Sequence, residues 1–481
     1  MSKPKDEALA QLEGRVAGAL KAWHAPNGST DDLLHDLLIA QTNPQDAPPS
    51  GGSAAQRLTT NRVLLAGIEA LAGQDAELAQ VLRLRFIDRQ KLWAVANKLA
   101  ISEQTVSRFQ KKGIRQLAHI IHGRESAQRD QAALQMEATL PPATYTRLFG
   151  VEETIEQLLL LLQDRQGPNV IAIVGMGGLG KTAVADTAVR QIIRRFLYHN
   201  VIWLRVEHQT LSGQSHHPEL TLETLLSHLA AQLWPDQAEE LSPQQRLVKL
   251  RQTLNIRPHL IVIDNLESQT DADYVLNQLH SFTQSSKFLL TSRSQLTEQA
   301  SVFNIRLPEI GAAEAIAFIR YHAQECGITS VADASDHNLG HIYQLTGGNP
   351  LALKLVVSLL DIFTLPDILD DLTATHTLSI AELYHYIFWQ TWYALSTNGR
   401  VLLQAMPLVS ESGGTPAYLA TVSGLSKEQL WPALRELWQR SLIEVRGTIH
   451  EKRYGIHRLT NSFMCTEIIH MLDWQSPTDD E

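Results

Sequence analysis

The spacing of apolar positions divides the chain into two regimes. From Asn61 to His122 they recur at helical intervals throughout. From about Leu148 onward, helical patterns alternate with short continuous apolar runs. The helix-like EETIEQLLLLLQ leads into the run NVIAIVG, and KTAVADTAVRQIIRRF follows at helical spacing. Next come the strand NVIWLRVE, helices between Leu220 and Leu254, the strand HLIVIDN, the helix DADYVLNQLH and the strand KFLLTSR. Such alternation predicts a mostly parallel α/β sheet flanked by helices. Beyond Arg293 strands mostly stop. Ala312 to Leu360 reads as helical, and the C-terminal part as helical with one β-hairpin in SLIEVRGTIHEKRYGIH.

Breaks in the pattern suggest boundaries. One or two short helices precede QTNPQDAPPSGGSAA, Gln41 to Ala55, which reads as a flexible linker. The stretch RESAQRDQAALQMEATLPPATY is polar and then broken by proline, so a domain boundary is expected there. The resulting division is 1–55 (helical segment and linker), 56–130 (helical domain), 140–298 (α/β domain), 299–375 (second helical domain) and 376–481 (helices with a hairpin). No self-similarity at a fixed period points to a solenoid or propeller.

Composition narrows the class. A 481-residue chain suits about three domains of ordinary size. Its two cysteines, Cys326 and Cys465, form neither a metal-ligand pattern nor a disulfide framework, which fits a reducing cytoplasm. The start MSKPKDEALAQLEGRV lacks the apolar core of a signal peptide. The longest apolar run, LALKLVVSLL, is short for a membrane span and carries Lys354. A cytoplasmic protein with no membrane partner is expected. The net charge of −10 is unevenly spread: Val81 to Asp130 holds eleven Lys/Arg against four Asp/Glu. That basic segment faces either a polyanion or an acidic domain of the same chain.

The most informative stretch is IAIVGMGGLGKTAVA, Ile171 to Ala185. It matches G-x-x-x-x-G-K-[ST] in full, between a predicted strand and a predicted helix. Gly175, Gly177, Gly178 and Gly180 let backbone N–H groups curl around phosphate oxygens, and the helix opening at Lys181, Thr182 and Ala183 aims its N-terminus at them. Lys181 is placed to reach the β/γ-phosphates, and the Thr182 hydroxyl to ligate Mg²⁺. A Mg²⁺-directing acid is expected at the end of a neighbouring strand, and LIVIDNLE supplies Asp264. Glu267 is the nearest candidate to polarise an attacking water, with an ordinary surface glutamate as the alternative. Arg293 ends the strand FLLTSR, where a cation can report a γ-phosphate.

These motifs, in this order and followed by GGNPLAL, resemble the NB-ARC family of STAND P-loop ATPases of bacterial type, over about Leu148 to Met471. The resemblance implies a nucleotide-binding α/β domain, a helical domain and a winged-helix domain, closed around ADP at rest and opened by ATP. It places Phe149, Gly150 and Val151 beside the adenine, Asp264 at Mg²⁺, Arg293 as the sensor arginine and Pro350 against the adenine ring. YGIHRLT looks like the family's Met-His-Asp motif, with His457 on the β-phosphate of ADP, although Ile456 and Arg458 replace the flanking residues. Asn265 stands where the family often carries a second acid, and an amide cannot accept a proton from water. The implied enzyme is at most a slow Mg²⁺-dependent ATPase, the implied ligands ATP or ADP with Mg²⁺, and the implied partner on activation another copy of the chain. In TPAYLATVSGLSKEQLWPALRELWQRSLIEV, Ser426 and Gln429 are spaced for a capping box, and the winged helix is expected to clamp the nucleotide domain rather than bind DNA.

Near the N-terminus, VANKLAISEQTVSRFQKKGIRQLAHII resembles the sigma-factor helix-turn-helix. Ala96, Leu99, Ile101 and Val106 have buried spacing, and Ser102 caps the second helix. Gln104, Thr105, Ser107, Arg108, Lys111 and Lys112 would then face duplex DNA. Ala100 stands where such turns usually carry glycine, and a helical bundle for protein contacts is the alternative. Three functions compete at this level: a nucleotide-gated signalling switch, a DNA-binding regulator gated by nucleotide, and a turnover ATPase.

Overall fold

The structure is a computed structural model that describes residues 3–24, 34–41, 53–206, 218–238, 240–266, 268–282, 285–293, 295–296, 302–368, 380–409, 413–448 and 451–469. Two compact units are resolved, 1–135 and 136–481. The expected linker falls mostly outside the described residues, and its last three residues, Ser53 to Ala55, already belong to a helix.

The first unit is all-helical: α1 (Lys3–Lys21), α2 (Leu38–Gln41), α3 (Ser53–Gln74), α4 (Ala76–Leu82), α5 (Leu92–Leu99) and α6 (Glu103–Ala138). Val16, Leu20, Leu64, Leu71, Leu82 and Leu117 are fully buried in its main core. A smaller core of Val81, Leu84, Val95, Ala96 and Val106 holds α5 against the start of α6. The turn between α5 and α6 closes at Ala100, whose φ of 54° is left-handed. The Ser102 hydroxyl accepts from the Thr105 N–H at 3.1 Å and caps α6. The proline-broken stretch ends α6 later than its polarity suggests, because the helix continues to Ala138.

In the second unit, α7 (Glu152–Gln163) precedes a five-stranded parallel sheet in the order β2-β3-β4-β1-β5. Its strands are β1 (Val170–Val174), β2 (Asn200–Arg205), β3 (His259–Asp264), β4 (Lys287–Ser292) and β5 (Val302–Arg306), with α8 (Lys181–Ile193), α9 (Pro218–Leu233), α10 (Pro243–Ile256) and α11 (Gln269–Leu279) between them. β1, β3 and β4 are buried along their whole length, as strands covered on both faces must be. Two features differ from the sequence reading. β4 lies between β1 and β3, so the strand ending in Asp264 is not the neighbour of the phosphate-loop strand. β5 was not anticipated, because VFNIR has no continuous apolar run: this edge strand alternates in exposure and is fixed by Asn304, whose side chain exchanges hydrogen bonds with the backbone of Leu296 at 3.1 Å each way.

After the sheet come α12 (Ala312–Cys326), α13 (Thr329–Ala332), α14 (Asp336–Thr346) and α15 (Pro350–Leu359). They are followed by α16 (Ile380–Ala394), α17 (Thr397–Ala405), α18 (Pro416–Ser423), α19 (Lys427–Gln439), the antiparallel pair β6 (Ile443–Gly447) and β7 (Lys452–Ile456), and α20 (Arg458–Phe463). Ser426 and Gln429 form the expected capping box on α19. One continuous core runs from Phe149 through α12–α15 into α16–α19 and β6, so no gap in packing separates the two helical segments divided at 375/376 by sequence.

A buried polar joint fastens these helices to the hairpin. His322 of α12 bonds the Ser441 hydroxyl at 3.0 Å, and Ser441 meets Ser358 of α15, also at 3.0 Å. Burial, reinforced by the Lys354 charge, drives the His322 imidazole down to about 3. In the unfolded chain this histidine titrates near 6.5, so below that pH the unfolded state binds the extra proton. The joint is therefore fully effective above pH 6.5 and loses up to about 1.4 kcal/mol per pH unit as pH falls toward 3. Denaturant titrations of the native chain and His322→Gln between pH 7 and pH 4 should show a stability difference that shifts in favour of the variant with acidification; a pH-independent difference would refute this account.

Candidate nucleotide site

The loop after β1 turns on glycines that no other residue replaces easily. Gly178 and Gly180 have φ of 82° and 90°, the left-handed region. A Cβ on Gly178 would stand 2.8 Å from Asn349 Oδ1 and 2.8 Å from Leu351 Cβ. α8 then starts at Lys181, directly after the loop, and the first N–H groups of a helix have no partner within the helix itself. Lys181 is buried, and its Nζ donates to the carbonyls of Gly175 at 2.7 Å and Met176 at 2.9 Å.

Asp264 ends β3 at 1 % exposure. Its Oδ1 accepts from the Thr182 hydroxyl at 2.8 Å and from the Thr291 hydroxyl at 2.7 Å. Its Oδ2 lies 3.6 Å from Arg205 Nε and accepts no hydrogen bond. A hydroxyl and a carboxylate brought together, with one buried oxygen lacking a donor, fit the hard-oxygen preference of Mg²⁺. Thr182 and Asp264 would hold the ion, which supplies charge neutralisation at the phosphates. Asn265 has a φ of 73°, its N–H donates to Thr291 Oγ1 at 2.8 Å, and its side-chain amide donates to the Val206 carbonyl at 3.2 Å. That amide supports the turn after β3 and offers no proton acceptor for water. Glu267 lies outside the described residues.

The other predicted residues meet in one cavity of about 300 Å³, also lined by Gly177, Gly178, Gly180, Lys181, Thr182 and Ala183. Gly175 is absent from that lining, although its carbonyl holds Lys181. Arg293 follows β4 and is exposed at the cavity. Pro350 enters from the start of α15, and Phe149 and Val151 from the segment before α7. Phe149 is 9 % exposed, edge-on to Phe318 at 5.5 Å and covered by the Arg147 guanidinium at 4.6 Å. His457 enters from the end of β7. Burial holds its imidazole below the ordinary value; the Glu444 charge opposes this, and Lys354, Arg205 and Arg293 reinforce it. A neutral ring keeps one N–H to donate. For Glu444, burial works to raise the carboxyl, but Arg446, His457 and Lys354 hold it below the usual carboxylate range.

Several residues at this site escaped the sequence reading. Thr291 sits unremarked inside FLLTSR, yet bridges Asp264 and Asn265. Asn349 was visible only as a good N-cap before a proline. Tyr145 and Asp186 are joined at 2.7 Å, Arg190 donates to Asp186 at 2.8 Å and to the Pro141 carbonyl at 2.8 Å, and together they hold the cavity's entry segment on α8. Burial, with help from Asp186, pushes the Tyr145 hydroxyl up to about 12. The proposed DNA-facing residues lie elsewhere, in the first unit. Gln104, Arg108 and Lys111 are exposed on α6, Lys112 is 3.6 Å from Asp75, and Thr105 is bonded to Ser102 at 2.9 Å.

Residues 151–307 match the family model of the NB-ARC domain. The chain carries an NB-ARC domain. Among curated proteins it is similar to disease resistance protein RPP8 of Arabidopsis thaliana, 28% identical over 271 residues, covering 53% of this chain and 28% of that protein. The probable disease resistance RPP8-like protein 4 of the same plant is 26% identical over 269 residues, with coverage of 53% and 28%. The chain thus spans less than a third of the length of these relatives. A solved STAND protein with a tetratricopeptide repeat sensor from Pyrococcus horikoshii aligns over 71% of this chain and 47% of that one, at 17% identity and a TM-score of 0.43. The match covers the phosphate loop, Asp264 and Arg293, and identifies 151–307 as a nucleotide-binding domain. Among the described residues, no helix is long and apolar enough to cross a membrane.

Thr291→Val keeps the shape of β4 but leaves Asp264 Oδ1 with one donor fewer and the Asn265 N–H without its acceptor. It should cost about 1–3 kcal/mol, read as a lower denaturation midpoint at unchanged slope. An unchanged midpoint would mean that Thr291 does not support the carboxylate.

Proposed function

We propose that this chain is a nucleotide-gated signalling switch of the cytoplasm, with ADP holding it closed and ATP opening it. The observation that carries the reading is convergence: the phosphate loop, the start of α15 and the end of β7 line one cavity, although they are far apart in sequence. A ligand that fills this cavity touches all three, so its identity biases whether they stay together. In this reading α17–α19 with the β6–β7 hairpin form the winged helix. His457 donates to the β-phosphate of ADP, Pro350 and Phe149 flank the base, and Arg293 engages a γ-phosphate. Hydrolysis is slow and Mg²⁺-dependent, because Asn265 is committed to the turn after β3. Opening lets copies of the chain self-associate or frees the N-terminal unit to act on its partner.

The test is to purify the protein gently, denature it and identify any released nucleotide by chromatography, beside Lys181→Ala. Close to one ADP per chain is expected for the native sequence and little for the variant. No bound nucleotide, together with rapid phosphate release on adding ATP, would replace the switch by a turnover ATPase.

A second reading, a DNA-binding regulator gated by nucleotide, is favoured by one observation: Gln104, Ser107, Arg108 and Lys111 are exposed together along the first turns of α6, after a capped turn. Binding of the chain to duplex DNA should then weaken steeply with salt, and Arg108→Ala with Lys111→Ala should reduce the log–log slope by about 2. Binding indifferent to these substitutions would leave α6 as a surface for protein contacts.

A further inference from the structure

Asn349 is fully buried, and both its amide oxygen and its amide nitrogen are hydrogen-bonded. Its Oδ1 accepts from Leu351 N–H at 3.0 Å, from Ala352 N–H at 3.4 Å and from the Tyr384 hydroxyl at 2.8 Å. Its Nδ2 donates to the carbonyl of Gly177 at 3.0 Å, in the phosphate loop itself. The Leu351 N–H also reaches the Gly178 carbonyl at 3.3 Å. Tyr384 belongs to α16 and is 8 % exposed, and it is not among the residues that line the cavity. One side chain therefore joins the loop that grips phosphate to the first turn of α15 and to a helix outside the site.

A helix cap needs only the oxygen. The donated N–H to Gly177 and the accepted hydroxyl from Tyr384 exceed what capping requires. Both contacts link the loop to α16, and the Tyr384 hydroxyl also lies close to Gly178, where an added Cβ would stand 2.9 Å from it. We propose that Asn349 is a positioning residue that ties the conformation of the phosphate loop to α16, so that an occupied loop stabilises α16 through Asn349 and Tyr384. This rests on the nucleotide reading of the cavity. Residues in one hydrogen-bond network with two ends couple strongly, because neither end can move without leaving a buried polar group unmade.

Two variants separate this role from capping. Asn349→Asp keeps the cap, since aspartate caps as well as asparagine, but sets an acceptor against the Gly177 carbonyl. Tyr384→Phe removes one hydroxyl, adds no charge and leaves the cap and the loop contact in place. The full chain is stripped of nucleotide, and amide hydrogen exchange is followed with and without ADP, alongside the release rate of a fluorescent ADP. In the native chain, ADP should protect the amides of 380–394. Both variants should still bind ADP, lose that protection and release the probe about tenfold faster. Should Asn349→Asp fail to fold, Tyr384→Phe decides alone. Native-like protection and release in Tyr384→Phe would overturn the coupling while leaving the nucleotide site standing. Failure of the native chain to bind ADP would overturn the nucleotide reading and this inference with it.

Discussion

A buried carboxylate at the end of β3 sets the terms for the rest of the second unit. Asp264 is almost inaccessible to water, and an ion in such a place must be compensated by donors or charge. Thr182 brings α8, Thr291 brings β4 and Arg205 brings β2, so three elements are tied to one oxygen pair. In the strand order observed, β3 lies between β2 and β4, which places Arg205 and Thr291 on either side of Asp264. Oδ1 takes both hydroxyls, and Oδ2, which accepts no hydrogen bond, lies 3.6 Å from Arg205 Nε.

The same economy explains why the cavity has such varied walls. A sheet edge supplies dipoles and charge for phosphates but little apolar surface. Apolar walls come instead from Phe149, which belongs to the core continuing through α12–α15 into the C-terminal helices, and from Val151 and Pro350. Because that core is unbroken from Phe149 to the hairpin, a ligand between loop and helices is held by groups whose mutual placement is already fixed. His322, Ser358 and Ser441 add a polar joint within the same assembly. Polar contacts join this core to the phosphate loop, where Asn349 and Leu351 bond Gly177 and Gly178.

Much of the site was legible from local pattern. The phosphate loop, Asp264 and Arg293 could each be placed at the end of a strand or the start of a helix, whereas Pro350 and His457 were singled out by the family resemblance. Four of the five strands announced themselves as apolar runs, because a strand covered on both faces has no room for polar side chains. β5 did not, since its residues are mostly exposed or half-buried and include Asn304 and Arg306, so it reads as loop, whereas β2, the other edge strand, is buried through its middle. Thr291, Asn349, Tyr145 and Glu444 were equally silent. Thr291, Asn349 and Tyr145 matter through a partner more than 25 residues away, as with Thr291 and Asp264 or Tyr384 and Asn349, and Glu444 through burial beside Arg446 and His457.

The sequence by itself determined the chemistry available: glycines that permit a left-handed loop, a lysine and threonine at a helix start, an acid after an apolar strand, and an amide where a second acid would accept a proton. These follow from local rules of backbone conformation and side-chain type, which need no knowledge of distant neighbours. The tertiary structure alone decided the strand order, the burial of Asp264 among two hydroxyls and an arginine, and the commitment of Asn265 to its own turn. It alone brought the start of α15 and the end of β7 to the phosphate loop. The physical reason is that hydrogen bonding and desolvation act between groups adjacent in space, and in this chain those groups are separated by tens to hundreds of residues.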